Sequence, residues 1–284
     1  MASTQSNSMA KSHSKTSEER VAGRIVFDRA DQAGDSSAAL CSIVTPVKVT
    51  ARIESKSTAE LSSSADPGFE FVLTKSVSPD SERWLSESSA EVYRLRLDDG
   101  LTIRWQSRRA VIVSQSTDPN SAEIKPLLVA FAQFAIYEQE LNRLETALAP
   151  IESHAPADVA LCFEIKSQQQ SQWPRLRKIM QELAMMRLDF ARLEPCFWIR
   201  VTGEPRSARA LRGKLARAID AEARLEAFTD RLEACEDLYE GAVDRITDHR
   251  WYRRTDLMEM AIVALLIIEI IAIAGEMVMQ HLQH

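Results

Sequence analysis

Glycine, histidine and aromatic residues are scarce in this chain, and each scarcity excludes a class of chemistry. Eight glycines in 284 residues leave no glycine-rich loop to cradle a phosphate with backbone N–H groups. The histidines are His13, His154, His249, His281 and His284, and three of them lie in the polar start or the last few residues. Neither a metal set nor an acid–base pair is expected from them; the i, i+3 spacing of His281 and His284 supplies too few ligands. The four cysteines, Cys41, Cys162, Cys196 and Cys235, form no C-x-x-C pair and read as free thiols in a reducing compartment. Positive charge is not in surplus: the net charge is -6 and the pI near 5.5, so there is no direct nucleic-acid signal. No catalytic residue, cofactor or metal is expected, and the chain does not read as an enzyme.

What is present divides the chain into four parts. Residues 1–37 are Ser-rich and too polar to offset the entropy of ordering, which predicts a disordered tail. The start holds no apolar signal run, and Glu18, Glu19, Asp28, Asp31 and Asp35 argue against an organelle transit peptide. Residues 38–204 predict a cytosolic α+β domain. Its clearest unit is EVYRLRLDDGLTIRW: Tyr93, Leu95 and Leu97 alternate with Arg94 and Arg96, Asp99-Gly100 makes a turn, and Leu101, Ile103 and Trp105 alternate with Thr102 and Arg104. That pattern is an antiparallel hairpin with one buried face. Further strands are expected at Cys41–Ile53, Phe69–Thr74 and Asp158–Lys166, with helices from Leu128 to a stop at Pro150 and from Trp173 to about Leu193.

Residues 205–254 predict a long helix followed by a basic-aromatic turn. Leu211, Leu225, Leu232, Tyr239 and Ile246 fall on a seven-residue repeat, with Phe228 three beyond Leu225, which is a coiled-coil-like seam. Packing within its own domain and self-association into a homo-oligomer both fit that seam. Residues 257–279, LMEMAIVALLIIEIIAIAGEMVM, then predict one C-terminal transmembrane helix of about 34 Å against a hydrocarbon thickness of roughly 30 Å. Before it stand Arg250, Trp251, Tyr252, Arg253 and Arg254, a basic-aromatic belt that places the large N-terminal part in the cytoplasm. Leu, Ile and Val between Ile262 and Ile273 favour insertion by roughly 4 kcal/mol, whereas one central acid opposes it by about 3. Glu269 is that acid. It shares a helix face with Glu276, and Glu259 lies about a quarter turn away, so an acidic stripe is expected to contact a partner.

Several segments occur in an order that resembles a known family. They are LVAFAQFAIYE at Leu128 to Glu138, ELAMMR at Glu182 to Arg187, EPCFW at Glu194 to Trp198, the long Leu-rich helix, the basic-aromatic turn, and a terminal apolar helix carrying Glu259 and Glu269. Together, over about half of the chain, they resemble the family called "required for meiotic nuclear division 1", or domain of unknown function 155. Mitochondrial members of that family look like inner-membrane proteins that support translation, whereas bacterial members have no settled function. Without a transit signature the chain resembles a bacterial-type member at the inner membrane, and the resemblance extends to it the expectation of a role in membrane-associated translation. The function expected is thus a membrane-anchored scaffold that binds a protein partner. A subunit of an ion or proton pathway using Glu259, Glu269 and Glu276 is the alternative, followed by an enzyme with an unrecognised site.

Overall fold

A computed structural model of the chain describes residues 20–29, 39–56, 68–86, 91–97, 100–163, 172–198 and 203–282, with the backbone alone at residues 29, 250, 253 and 272–282. The architecture is a mixed α+β one, mostly helical, and it divides into two compact units. One is Met1–Gln139 with Pro195–Ala221, the other Glu140–Glu194 with Glu222–His284.

The first unit is built on a sheet. Its strands are β1 (Arg20–Arg29), β2 (Ala39–Ile43), β3 (Val49–Lys56), β4 (Phe69–Thr74), β5 (Tyr93–Arg96), β6 (Thr102–Gln106) and β7 (Arg109–Val113), in the order β2-β3-β1-β4-β7-β6-β5. The expected hairpin is β5–β6: Tyr93 faces Trp105 and Leu95 faces Ile103, with Gly100 at φ 78° in the turn. Two expectations change here. Arg20–Arg29 belongs to no disordered tail but forms an inner strand, because Val21, Ile25 and Phe27 alternate and pair with both β3 and β4; the rest of the predicted tail lies outside the described residues. The sheet is also mixed rather than antiparallel. Helix α1 (Pro79–Ser86) and the hairpin lie between β4 and β7 in the chain, which lets those two strands pair in parallel.

The two faces of this sheet differ in kind. Period-two alternation puts Ile25, Phe69, Phe71, Ile103, Trp105 and Ile112 on one face, where all are buried. The first half of α2 (Lys125–Asp158) covers it: Phe131 stacks on Phe69 at 4.8 Å, and Phe134 meets Trp105 edge-on at 5.8 Å. Phe197, near the end of α3 (Trp173–Trp198), closes the aromatic cluster against Phe134 and Tyr137. Gly23 is required by this packing, since a Cβ there would stand 2.6 Å from Phe71 Cζ. The opposite face carries arginines and α1.

The second unit is a bundle of three helical segments: α2 from Glu140, α3 as far as Glu194, and α5 (Ala221–Leu282) from Glu222. Ion pairs fix the directions. Arg224 meets Glu145 and Arg231 meets Glu152, so α5 runs parallel to α2, seven residues answering seven. Arg143 with Asp189 and Asp158 with Arg175 set α3 antiparallel to α2, and Arg187 with Glu236 and Phe190 with Phe228 set it antiparallel to α5. Between them Leu144, Leu148, Leu183, Phe190, Phe228 and Leu232 are buried, and Phe190 and Phe228 stack at 4.9 Å.

Several helical expectations are corrected by this unit. Helix α2 does not stop at Pro150; it runs through Pro150 and Pro156 to Asp158. A proline inside a helix costs about 3 kcal/mol, but here Leu148 and Ile151 on either side are buried and hold the axis in place. The strand expected at Asp158–Lys166 is instead the end of α2 and a short 3-10 turn at Val159–Cys162, and residues 164–166 lie outside the description. No single helix runs from 205 to 250. Helix α4 (Arg206–Ala218) ends at Ile219, Asp220 takes a positive φ of 50°, and α5 begins at Ala221. The heptad seam is not shown to be a coiled coil: Leu225, Phe228, Leu232, Tyr239 and Ile246 are all buried within the chain itself, and Leu211 belongs to α4.

The terminal expectation is overturned as well. Among the described residues no helix is long and apolar enough to cross a membrane. Glu259 and Glu269 interrupt the apolar stretch Leu257–Ile271. The transmembrane helix at 257–279, the single-pass C-terminal anchor and the placement at an inner membrane are therefore not supported.

Candidate functional site

The arginine face of the sheet is assembled by strand register. Arg24 on β1 stands opposite Glu70 on β4, which stands opposite Arg109 on β7, which stands opposite Gln106 on β6. The result is one polar row across four adjacent strands. Arg24 donates to Glu70 at 2.6 Å, with side chains only 2% and 8% exposed, and Arg109 Nε lies 3.3 Å from the other carboxylate oxygen. Arg109 also donates to the Trp84 carbonyl at 2.9 Å and places its guanidinium 5.1 Å over the Trp84 ring. Gly68 leaves the space that Arg24 fills, since a Cβ there would meet Arg24 Cδ at 2.8 Å.

Helix α1 is laid on this face by its own sequence. Ser78 caps it: the Ser81 N–H donates to Ser78 Oγ at 3.3 Å and the Ser78 N–H donates to Ser81 Oγ at 3.2 Å, a reciprocal capping box with serine in the usual Glu position. Pro79 then takes the first helical position, where its missing N–H costs nothing. Trp84 and Leu85 pack on Ala22, Val72 and Val111, while the acids of the first turn reach arginines. Asp80 lies 3.7 Å from Arg20, and Glu82 accepts from Arg104. Beyond the reach of α1, Arg94 and Arg96 of β5 are exposed on the same face, Arg94 directly opposite Arg104.

At the end of the bundle Asp158 joins three helices. Arg175 of α3 grips it with two hydrogen bonds, 3.0 and 2.7 Å, and the Tyr239 hydroxyl of α5 donates to it at 3.0 Å. A carboxylate at a helix C-terminus opposes the helix dipole, so these donors offset both that cost and burial. Burial, then the hydrogen bond to Asp158, holds the Tyr239 phenol well above its ordinary pKa near 10; burial pushes Tyr137 in the first unit up to about 12. Both folded values exceed the unfolded one, so the stability they contribute is intact below pH 10 and is lost as pH rises through the folded values. Urea midpoints should fall as pH rises through about 10 to 12, and Tyr239→Phe should shallow that fall. An unchanged slope in the variant would remove Tyr239 from the account.

The residues singled out by sequence are placed unevenly. Leu225, Phe228, Leu232, Tyr239 and Ile246 converge in the bundle core. Trp251, Tyr252, Arg254, Glu259 and Glu269 lie on the α5 extension, all exposed; Arg250, Arg253 and Glu276 lie on it too, described by backbone alone. Arg24, Glu70, Arg109, Asp158 and Arg175 were not singled out. The signal that could have found Arg24 and Arg109 is the recurrence of arginine on strand-like segments; their pairing through Glu70 is made by strand register. Among the described residues no group of His, Cys, Asp and Glu could hold a metal ion.

The α5 extension is the other unusual surface. From Leu257 to Ile271 every residue is exposed, and Leu265, Leu266, Ile267 and Ile268 each expose more than half of their surface on successive sides of the helix. Scattered exposed apolar residues are ordinary, but an apolar surface on all sides of a helix, broken here only by Glu259 and Glu269, is not.

No family model matches the chain, and no curated protein matches its sequence. Among solved structures, that of the full-length CmaX protein is similar over 86% of this chain and 83% of that one, at 13% identity and a TM-score of 0.35. Such a likeness carries no argument about fold or role.

Proposed function

We propose that the protein is a scaffold that binds a protein partner through the α5 extension. The observation that carries this reading is the apolar surface of Leu257–Ile271, exposed on all sides of the helix beyond a bundle whose own core is complete. Leaving it in water is costly: burying one such side chain is worth about 1.5–3 kcal/mol. A helix apolar all round needs neighbours on several sides, so the partner that fits is one presenting more than one apolar helix. Glu259 and Glu269 would then set register, because a buried carboxylate must find a donor on the partner. The alternative, an ion or proton pathway through Glu259, Glu269 and Glu276, would need a membrane-crossing helix, and none is found among the described residues.

A photo-reactive residue at Leu266 tests this in the native source. A discrete protein crosslinked in stoichiometric yield, and absent with a chain ending at residue 250, is the expected result. Ribosomal proteins in that band would extend the reading to the translation role that the family resemblance implies. Crosslinks to lipid alone, or none, would overturn the proposal.

A further inference from the structure

The arginine face offers a second surface, distinct from the α5 extension. Arg94 and Arg104 are cross-strand partners on β5 and β6, and like charges placed directly opposite destabilise a pair unless an anion lies between them. Glu82 of α1 answers Arg104, as Asp80 answers Arg20 at the other side of the helix. Arg94 and Arg96 extend the same face past the end of α1 and are exposed. The face therefore already receives an acidic helix from its own chain, and continues beyond it.

We propose that Arg94 and Arg96 form a docking surface for an acidic helical segment of a partner protein. The spacing fits. Arg94 and Arg96 are about 7 Å apart along the strand, and carboxylates at i and i+4 of a helix are about 6 Å apart. An acidic peptide is favoured over nucleic acid by two features of the same face. Asp28 and Glu54 stand on it and would repel a phosphate backbone, and the aromatic residue that α1 lays on it, Trp84, is buried between helix and sheet rather than offered for base stacking. The surface is separate from the α5 extension, so this inference and the scaffold reading can fail independently.

The probe is a fluorescent helical peptide with glutamate at every i, i+4 position, titrated into the full chain by anisotropy. Arg94→Glu with Arg96→Glu should weaken binding by roughly tenfold or more, and Arg94→Gln with Arg96→Gln by less. Both pairs of substitutions lie at exposed positions and should leave the melting temperature unchanged, which separates lost binding from lost folding. Arg177→Glu with Lys178→Glu on α3, exposed residues of the other unit, makes the same change of net charge and should leave binding as it is. An equal loss in that control would overturn the proposal as mere bulk electrostatics. So would failure of the peptide to bind, or tighter binding of a single-stranded RNA of equal charge.

Discussion

Glu70→Ala should destabilise the first unit by about 3–5 kcal/mol, a large part of the stability of most domains. The cost arises from what remains. Arg24 is a fully formed cation with a side chain 2% exposed, and the substitution removes the carboxylate 2.6 Å from it. Arg109 loses the same carboxylate but is 22% exposed and can turn towards water, so its share is smaller. Glu70→Gln keeps the shape and an acceptor and should cost less than the alanine variant. Replacing both members, Arg24→Met with Glu70→Leu, should recover much of the loss, because apolar pairs of similar volume often equal a buried ion pair. Urea unfolding followed by circular dichroism gives the comparison. A Glu70→Ala chain within about 1 kcal/mol of the parent would show that the row is not the internal support described here.

Asp158→Ala should have the next largest effect, about 2–4 kcal/mol on the second unit. Three helices meet at this carboxylate, and its loss strips partners from a bidentate Arg175 and from a tyrosine with no exposed surface. Part of the cost is returned, since an acid is removed from the C-terminal end of α2, a gain of about 0.3–1 kcal/mol. Tyr239→Phe removes one neutral donor and should cost about 1 kcal/mol. The two changes together should cost less than their sum, because they share a hydrogen bond. Strict additivity in that cycle would mean that Tyr239 and Asp158 do not act together.

The hairpin Tyr93–Trp105 was legible because each residue's polarity matched the side it faces, and the turn carried glycine where φ is positive. The seam residues of α5 were also legible as buried, but not the surface they bury against. A heptad pattern states only that one face is covered, and α2 and α3 of the same chain turned out to cover it. Strand β1 was missed for a compositional reason: its apolar residues are interleaved with Arg20, Arg24 and Asp28, whose partners lie on α1, β4 and β3 and cannot be seen locally. Pro150 misled in the opposite direction, since a local helix breaker was outweighed by long-range packing of Leu148 and Ile151. The terminal segment showed the limit of hydropathy read alone. Its apolar character was plain from the sequence, yet among the described residues it does not make a membrane-crossing helix. The polar row Arg24–Glu70–Arg109 depends on register between β1, β4 and β7, which no spacing in the sequence encodes.

We infer a protein partner that covers the apolar surface of Leu257–Ile271. Native mass spectrometry of the full chain, isolated gently from its source beside a chain ending at residue 250, tests it most directly. The full chain should carry a protein partner in fixed stoichiometry and the shorter chain none. A full chain that is bare, or that carries lipid and no protein, would contradict it.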